Sequence, residues 1–262
     1  MNLVTHIEKR GRATARFVLV IAVALALPVL SSGQVKVLMS GGFSVAYQEL
    51  LPEFERTSGI TVTTTRGPSQ GNGPDAIGAQ LRRGVPVDVV IMNREGLDEL
   101  MADGRFVAGT VVDLAQVPLG LAVRHGAPKP EIGSVDAFRR TLLGARSIAS
   151  DSSATIYVTT KLLPRLGVAD TVTAKVVSKG PGAVASGESD FAILPVSELI
   201  AAPGVDFVGT IPAEVQHISV FTAGIVAGSK ELEASKRLIA FLTSGNATAA
   251  IRKSGMEPSK SR

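Results

Sequence analysis

The chain of 262 residues contains no cysteine and no tryptophan, and only three histidines. Without cysteine there is no disulfide, no cysteine–zinc site, no thiol nucleophile and no lipid-modified N-terminal cysteine. The fold must therefore be held by its own core, which a chain of this length permits. With no tryptophan and 4% aromatic residues, the stacking platforms that hold single-stranded nucleic acid are missing. No His-x-His or HExxH spacing occurs to suggest a metal, so His125 and His217 read first as structural histidines beside strand-like segments. No GxSxG, Walker or GxGxxG pattern is present, and the turn Gly67-Pro68-Ser69-Gln70-Gly71-Asn72-Gly73 shares only its glycines with a phosphate loop. Nothing in the sequence calls for a cofactor.

Only one long apolar run occurs, Phe17 to Leu30, and it follows a basic segment from Met1 to Arg16. Ser31-Ser32-Gly33 then supplies small residues. The run is short for a membrane span, so residues 1–33 read as a secretory signal peptide cleaved before Gln34, with no stable membrane insertion of what remains. Lys9, Arg10, Arg12 and Arg16 against Glu8 account for most of the excess charge, leaving 23 basic and 22 acidic residues from Gln34 onward. A near-neutral chain has no electrostatic reason to bind nucleic acid or an anionic membrane. A free, exported, periplasmic protein follows, and a monomer is the default.

The chain is organised around Val35–Phe54. Val35 to Met39 is an apolar run of strand length, and Ser40-Gly41-Gly42 lets the backbone turn sharply and approach a ligand. Ser44 is a good N-cap, with Tyr47, Leu50, Leu51 and Phe54 on one helical face and Gly59 as the stop. A strand, a small-residue turn and a helix N-terminus form a pocket of backbone N–H groups suited to an anion. The unit recurs. Ile60 to Thr65 is a strand leading to a helix opened by Pro74 and closed near Gly84; Val87 to Met92 is a strand, with Asn93 capping a helix that ends at Gly104. Alternation of this kind predicts a parallel sheet whose ligand lies beyond the strands' carboxyl ends.

Val111 to His125 is a long apolar strand bent at Pro118 and Gly120, and His217 to Val226 is a second; both read as crossings between two lobes. Between them lie a helix capped by Ser134, a strand at Ser147 to Ala149, and a helix opened by Ser150 to Thr155 and running to Leu166. Strands at Lys175 to Ser178, Asp190 to Leu194 and Val205 to Val208 follow, with a turn at Gly180-Pro181-Gly182. A last helix carries Leu232, Leu238, Ile239 and Leu242, and the polar tail from Glu257 reads as frayed. The economical architecture is α/β: residues 34–115 with 220–262 as one lobe, 116–219 as the other, and a hinged cleft between them. Candidate ligand contacts are the small polar turns: Ser40, Gly41, Gly42 and Ser44, then Ser69, then Ser153 and Ala154, with Gly182 facing them. Arg66 could pair with a carboxylate. Asp151 reads as a helix cap or as a base.

The stretches VKVLMSGGFSVAYQEL, RRGVPVDVVIMNREGLDEL, SVDAFRRTLLGARSIASDSSATIYV, SELIAAPGVDFVGTIPAEVQ and FTAGI…IAFL resemble the molybdate-binding family of type 2 periplasmic solute-binding proteins. The resemblance implies two lobes, a hinge, and delivery of a small anion to an ABC permease. It maps an oxyanion site onto Gly42, the Ser69 turn, Asn93, Ala154, the Gly182 loop and Leu194. Molybdate binders of the family usually carry serine where Gly42 stands and tyrosine where Leu194 stands, so two polar contacts are missing here. The GPS turn, the SDS helix start and PGVDFVGTIPAEVQ are similar to a subgroup that includes periplasmic aconitate isomerases. Two expectations follow. The first is a binding protein that closes on an oxyanion or a di- or tricarboxylate. The second is a cofactor-independent isomerase moving an allylic proton, with Asp151 and His217 as the bases to test.

Overall fold

A computed structural model describes residues 33–259. All of the proposed leader but Gly33 lies outside the described residues. Ten strands carry the fold: β1 (Gln34–Met39), β2 (Thr61–Arg66), β3 (Val89–Asn93), β4 (Val112–Arg124), β5 (Ile148–Ser150), β6 (Val176–Ser178), β7 (Phe191–Pro195), β8 (Val205–Thr210), β9 (Ile218–Ile225) and β10 (Glu257–Pro258). Their order along the sheet is β2-β1-β3-β9-β4-β7-β5-β6, with β8 and β10 also paired to β4. The parallel pairings expected of strand–helix units occur at both ends, β1 with β2 and β3, and β5 with β6 and β7. The middle is antiparallel, because β4 and β9 run between the two ends and pair with each other from Val112↔Ala223 to Pro118↔Ile218. A wholly parallel sheet is thus corrected to a mixed one.

The apolar residues form separate cores on either side of this crossing. Val37, Met39, Tyr47, Phe54, Ile91, Val117, Phe221 and Leu238 belong to one; Leu119, Leu121, Phe138, Ile148, Val158, Ile193, Leu194 and Val215 belong to another. Leu38, Val90, Met92 and Leu97 pack the opposite face of the first half's sheet. The change of core along β4 falls between Val117 and Leu119, at Pro118, where the ring removes a ladder donor. Gln216 braces this bend: its side chain accepts from Leu119 N at 2.9 Å and donates to Leu119 O at 3.0 Å.

Helix boundaries follow the signals in the sequence, with three corrections. Helix α1 (Ser44–Ser58) ends at Gly59 in the left-handed conformation (φ 69°). Ser44 is its first residue and not its cap, because Gly41–Phe43 forms a preceding 3-10 turn. Helix α2 (Ile77–Arg82) begins three residues beyond Pro74. The Gly67–Gly73 loop runs further than its glycines imply, tied down by Ile77 N donating to Pro68 O. Helix α3 (Arg94–Ala102) is capped by Asn93, whose Oδ1 accepts from Gly96 N at 3.2 Å. Helix α4 (Val135–Gly144) is capped by Ser134, and α5 (Ser152–Tyr157) by Asp151, continuing through a wider turn at Val158–Leu162 to Arg165. Gly182 opens a four-residue helix and not only a turn. The tail expected to fray is also corrected: Glu257 and Pro258 pair with Gln116 and Ala115, and Ser259 N donates to Leu114 O.

Candidate functional site

Five elements end on one cavity of about 380 Å³ beside the β4–β9 crossing. From the first half come Ser40 and Gly41 after β1, Pro68, Ser69 and Gln70 after β2, and Asn93 and Glu95 at the start of α3. From the second come Asp151, Ser153, Ala154 and Tyr157 on α5, and Pro195 and Glu198 after β7. The crossing itself supplies Leu119, His217, Ser219 and Phe221. Every strand named here delivers its residues from its carboxyl end or from the crossing, as parallel strand–helix units require.

The first half presents neutral donors. Ser40 is 5% exposed and its hydroxyl has no partner among the described residues, while its own N–H donates to Ile91 O. A buried hydroxyl without a partner costs about 1–3 kcal/mol, a cost that an acceptor entering the cavity would remove. Ser69 Oγ accepts from Asn93 N at 3.1 Å, which spends one lone pair and leaves its O–H free to donate. Besides capping α3, Asn93 donates one Nδ2 hydrogen to Gln70 Oε1 at 3.1 Å. It thereby fixes the Ser69 loop and keeps its second Nδ2 hydrogen as a donor.

The second half presents carboxyls. Asp151 accepts from Ala154 N at 2.9 Å as the cap of α5. Burial lifts its carboxyl above the usual aspartate range, against the lowering effect of the Ala154 and Ser153 N–H groups. Glu198 lies in the first turn of the short helix Val196–Leu199. Burial, and next the charge of Asp151, push its carboxyl up to about 8. His217 stacks on Tyr157 with ring centroids 4.3 Å apart and lies 3.5 Å from Glu95. Burial depresses its pKa despite that carboxylate, so the ring is neutral at pH 7. Lys161 is the cavity's exposed cation.

The residues expected from the sequence divide into two sets. Ser40, Gly41, Ser69, Asn93, Asp151, Ser153, Ala154 and His217 are brought together in the cavity wall. Gly42, Ser44, Arg66, Gly182 and Leu194 are not among its lining residues. A Cβ on Gly42 would lie 1.9 Å from Phe221 Cζ, so the phenyl ring fills the space a serine would use. Ser44 is buried inside the first turn of α1, and Leu194 is fully buried in the second core. Gly182 is exposed. Arg66 lines an adjoining recess that shares Gly41, Pro68 and Asp151 with the cavity. The sequence reading missed Tyr157, Glu198 and Phe221. For Glu198 a signal existed: it opens a helix just past the carboxyl end of a strand. For Tyr157 and Phe221 none did, since each reads as an ordinary core aromatic.

The α/β halves around this cavity, with a curled mixed sheet, define the fold of type 2 periplasmic binding proteins. Residues 35–257 match the family described as bacterial extracellular solute-binding protein, and the chain belongs to it. Among solved structures, the periplasmic molybdate-binding protein of Azotobacter vinelandii superposes with a TM-score of 0.70 at 23% identity, over 86% of this chain and 100% of that one. The sulfate-binding protein of Mycobacterium tuberculosis superposes with a TM-score of 0.64 at 17% identity, over 86% and 87%. In sequence the chain is 39% identical over 227 residues to an aconitate isomerase from a Pseudomonas species, covering 85% of this chain and 87% of that one.

Proposed function

We propose that this chain is a periplasmic receptor for a small di- or tricarboxylate, held in the cavity between the two halves. The carrying observation is the pair of free hydroxyl donors, Ser40 and Ser69, in a cavity of about 380 Å³. That volume is in the range of sites for organic molecules, roughly 300–1,000 Å³. An organic acid also matches the walls: Leu119, Tyr157 and Phe221 offer apolar surface to its carbon skeleton, and the hydroxyls and Lys161 face its carboxylates. A tetrahedral oxyanion needs donors on every side, and Asp151, Glu198 and Glu95 present carboxyls instead. Closure of one half on the other about the β4–β9 crossing, around Pro118, would complete the donor shell, and an ABC permease would be the receiving partner. Export through the leader at residues 1–33 goes with this role.

A second reading is favoured by one observation, the two carboxyls Asp151 and Glu198 in the same wall. Carboxyls held at different proton affinities are the equipment of acid–base chemistry, and the 39% identical relative is an aconitate isomerase. Under this reading, the bound tricarboxylate loses a proton from its methylene carbon to Asp151, the double bond shifts, and a proton returns at the far carbon. No oxidant or cofactor is needed. The test is to incubate the protein with cis-aconitate and follow the isomer ratio, while measuring citrate binding by calorimetry. Binding with a static ratio supports the receptor; movement of the ratio to equilibrium supports the isomerase; neither binding nor turnover refutes both.

A further inference from the structure

We infer that Glu198 is the acid of this cavity, beside Asp151: it donates its O–H to a carboxylate of the bound anion and, where the anion is isomerised, supplies the returning proton. The inference rests on the reading of this cavity as a polycarboxylate site and assigns within it a residue that reading leaves open.

Three observations carry it. Asp151 is the partner equipped to hold negative charge, since its Oδ1 accepts from Ala154 N at 2.9 Å at the N-terminus of α5. Glu198 has no such support. No ion pair or hydrogen bond to its carboxyl occurs among the described residues, and its oxygens lie near Gly41, with Oε2 3.5 Å from where a Cβ on that residue would stand. The third observation points to the ligand. Ser40, immediately before Gly41, is buried with its hydroxyl unpartnered among the described residues and lines the same cavity. A carboxylate oxygen entering there meets two hydroxyl donors, one from Ser40 and one from protonated Glu198. Burial and the neighbouring Asp151 charge keep that proton in place at neutral pH.

The proton balance closes over the two carboxyls. Asp151 takes the C–H proton as the electron pair moves into the allylic system; Glu198 O–H gives its proton to the far carbon. A net transfer of one proton from Asp151–H to the Glu198 carboxylate, through solvent, then restores the starting state. The other titratable or charged groups facing the cavity are Glu95, Tyr157, His217 and Lys161, with Arg66, Asp75 and Lys179 at the adjoining recess. Of these His217 is neutral at pH 7 and the Glu95 side chain is 46% exposed, so neither matches the enclosed acid at Glu198.

The test compares the wild-type protein with Glu198→Gln and Glu198→Ala. Three readouts are used: the infrared carbonyl band of a protonated carboxyl at pH 7, citrate affinity across pH, and turnover of cis-aconitate. Glutamine keeps a donor in place of the acid. The expected results are a protonated band present in wild type and absent from Glu198→Gln, and a wild-type citrate affinity that falls as pH rises through about 8. In Glu198→Gln that affinity should be retained and level with pH, and in Glu198→Ala it should be lost by tenfold or more, about the size of one charge-assisted hydrogen bond. Turnover, where wild type shows it, should drop at least about a hundredfold in Glu198→Gln, the scale of one general acid. A wild type that binds citrate with no protonated band, or a Glu198→Gln that keeps the wild-type pH dependence or turnover, overturns the assignment while leaving the polycarboxylate reading standing. A wild type that shows the band yet neither binds citrate nor turns over cis-aconitate sinks the reading and the role assigned to Glu198 with it.

Discussion

The two walls of the cavity are built from the same kind of unit and present opposite chemistry. After β1 and β2 the chain leaves strands into small-residue turns, and the side chains it places at the cavity, Ser40, Ser69 and Gln70, are neutral. After β5 and β7 it also leaves strands into helix starts, but the groups are carboxyls, Asp151 and Glu198. A helix N-terminus favours negative charge. In the first half the neutral Asn93 caps the helix start at the cavity, whereas in the second the carboxyl of Asp151 does so. The difference separates holding an anion from handling a proton, and each substitution below acts on one wall.

The largest effect belongs to the carboxyl wall. Asp151→Asn keeps the cap, since asparagine caps as well as aspartate, so stability should hold within about 0.5 kcal/mol. Turnover under the isomerase reading should fall by about 10²–10⁴-fold, the usual worth of a positioned base. An unchanged rate would reduce Asp151 to a cap and erase the contrast between the walls.

Next is the pH dependence of stability. Glu198 binds its proton more tightly in the folded chain, with its value raised from 4.5 to about 8. The stability tied to that proton is fully present below 4.5, and it is lost as pH rises from there through about 8. Thermal melts without ligand should thus show wild type losing stability across this window more steeply than Glu198→Gln; parallel curves would contradict the raised value.

Gly42→Ser should destabilise the fold by about 1–3 kcal/mol through overpacking against Phe221. The clash is with the ring itself, so a smaller residue at 221 in the same chain should recover part of the loss. A serine tolerated at no cost would mean that the ring moves aside easily and that the cavity floor can become polar.

The smallest effects separate the two serines of the donor wall. Ser69→Ala removes the acceptor of Asn93 N–H and should lower both stability and citrate affinity by about 1–2 kcal/mol. Ser40→Ala removes a hydroxyl with no partner among the described residues, so melting should be unchanged or slightly higher while affinity falls by a similar amount. Equal stability losses in the two variants would show that Ser40 is bonded within the protein.

Much of this was legible in the sequence because short-range physics decides it. Asn93, Ser134 and Asp151 cap helices, Gly59 and Gly104 stop them, and both long crossings are where their apolar runs stand. The converging turns were readable too, since strand–helix order fixes which end of the sheet they share. What was not legible depends on pairs distant in sequence. Gly42 carries the motif position of an oxyanion site, but Phe221, 179 positions later, closes it. Leu194 lies in a strand whose residues alternate between faces, and the packing of the second half puts it into the core. Glu198 stands just past the carboxyl end of a strand, which the sequence signals, but its meeting with Asp151 in one cavity is set by residues 47 positions apart.

The central claim is that the cavity holds a small polycarboxylate. It is tested most directly by calorimetric titration of the purified protein with citrate and trans-aconitate, and with molybdate and sulfate, under one set of conditions. Saturable binding of at least one of the carboxylates, with no heat from either tetrahedral anion, is the predicted result. Tight binding of molybdate or sulfate with no response to the carboxylates would contradict it, and would show that the donor wall alone defines the site.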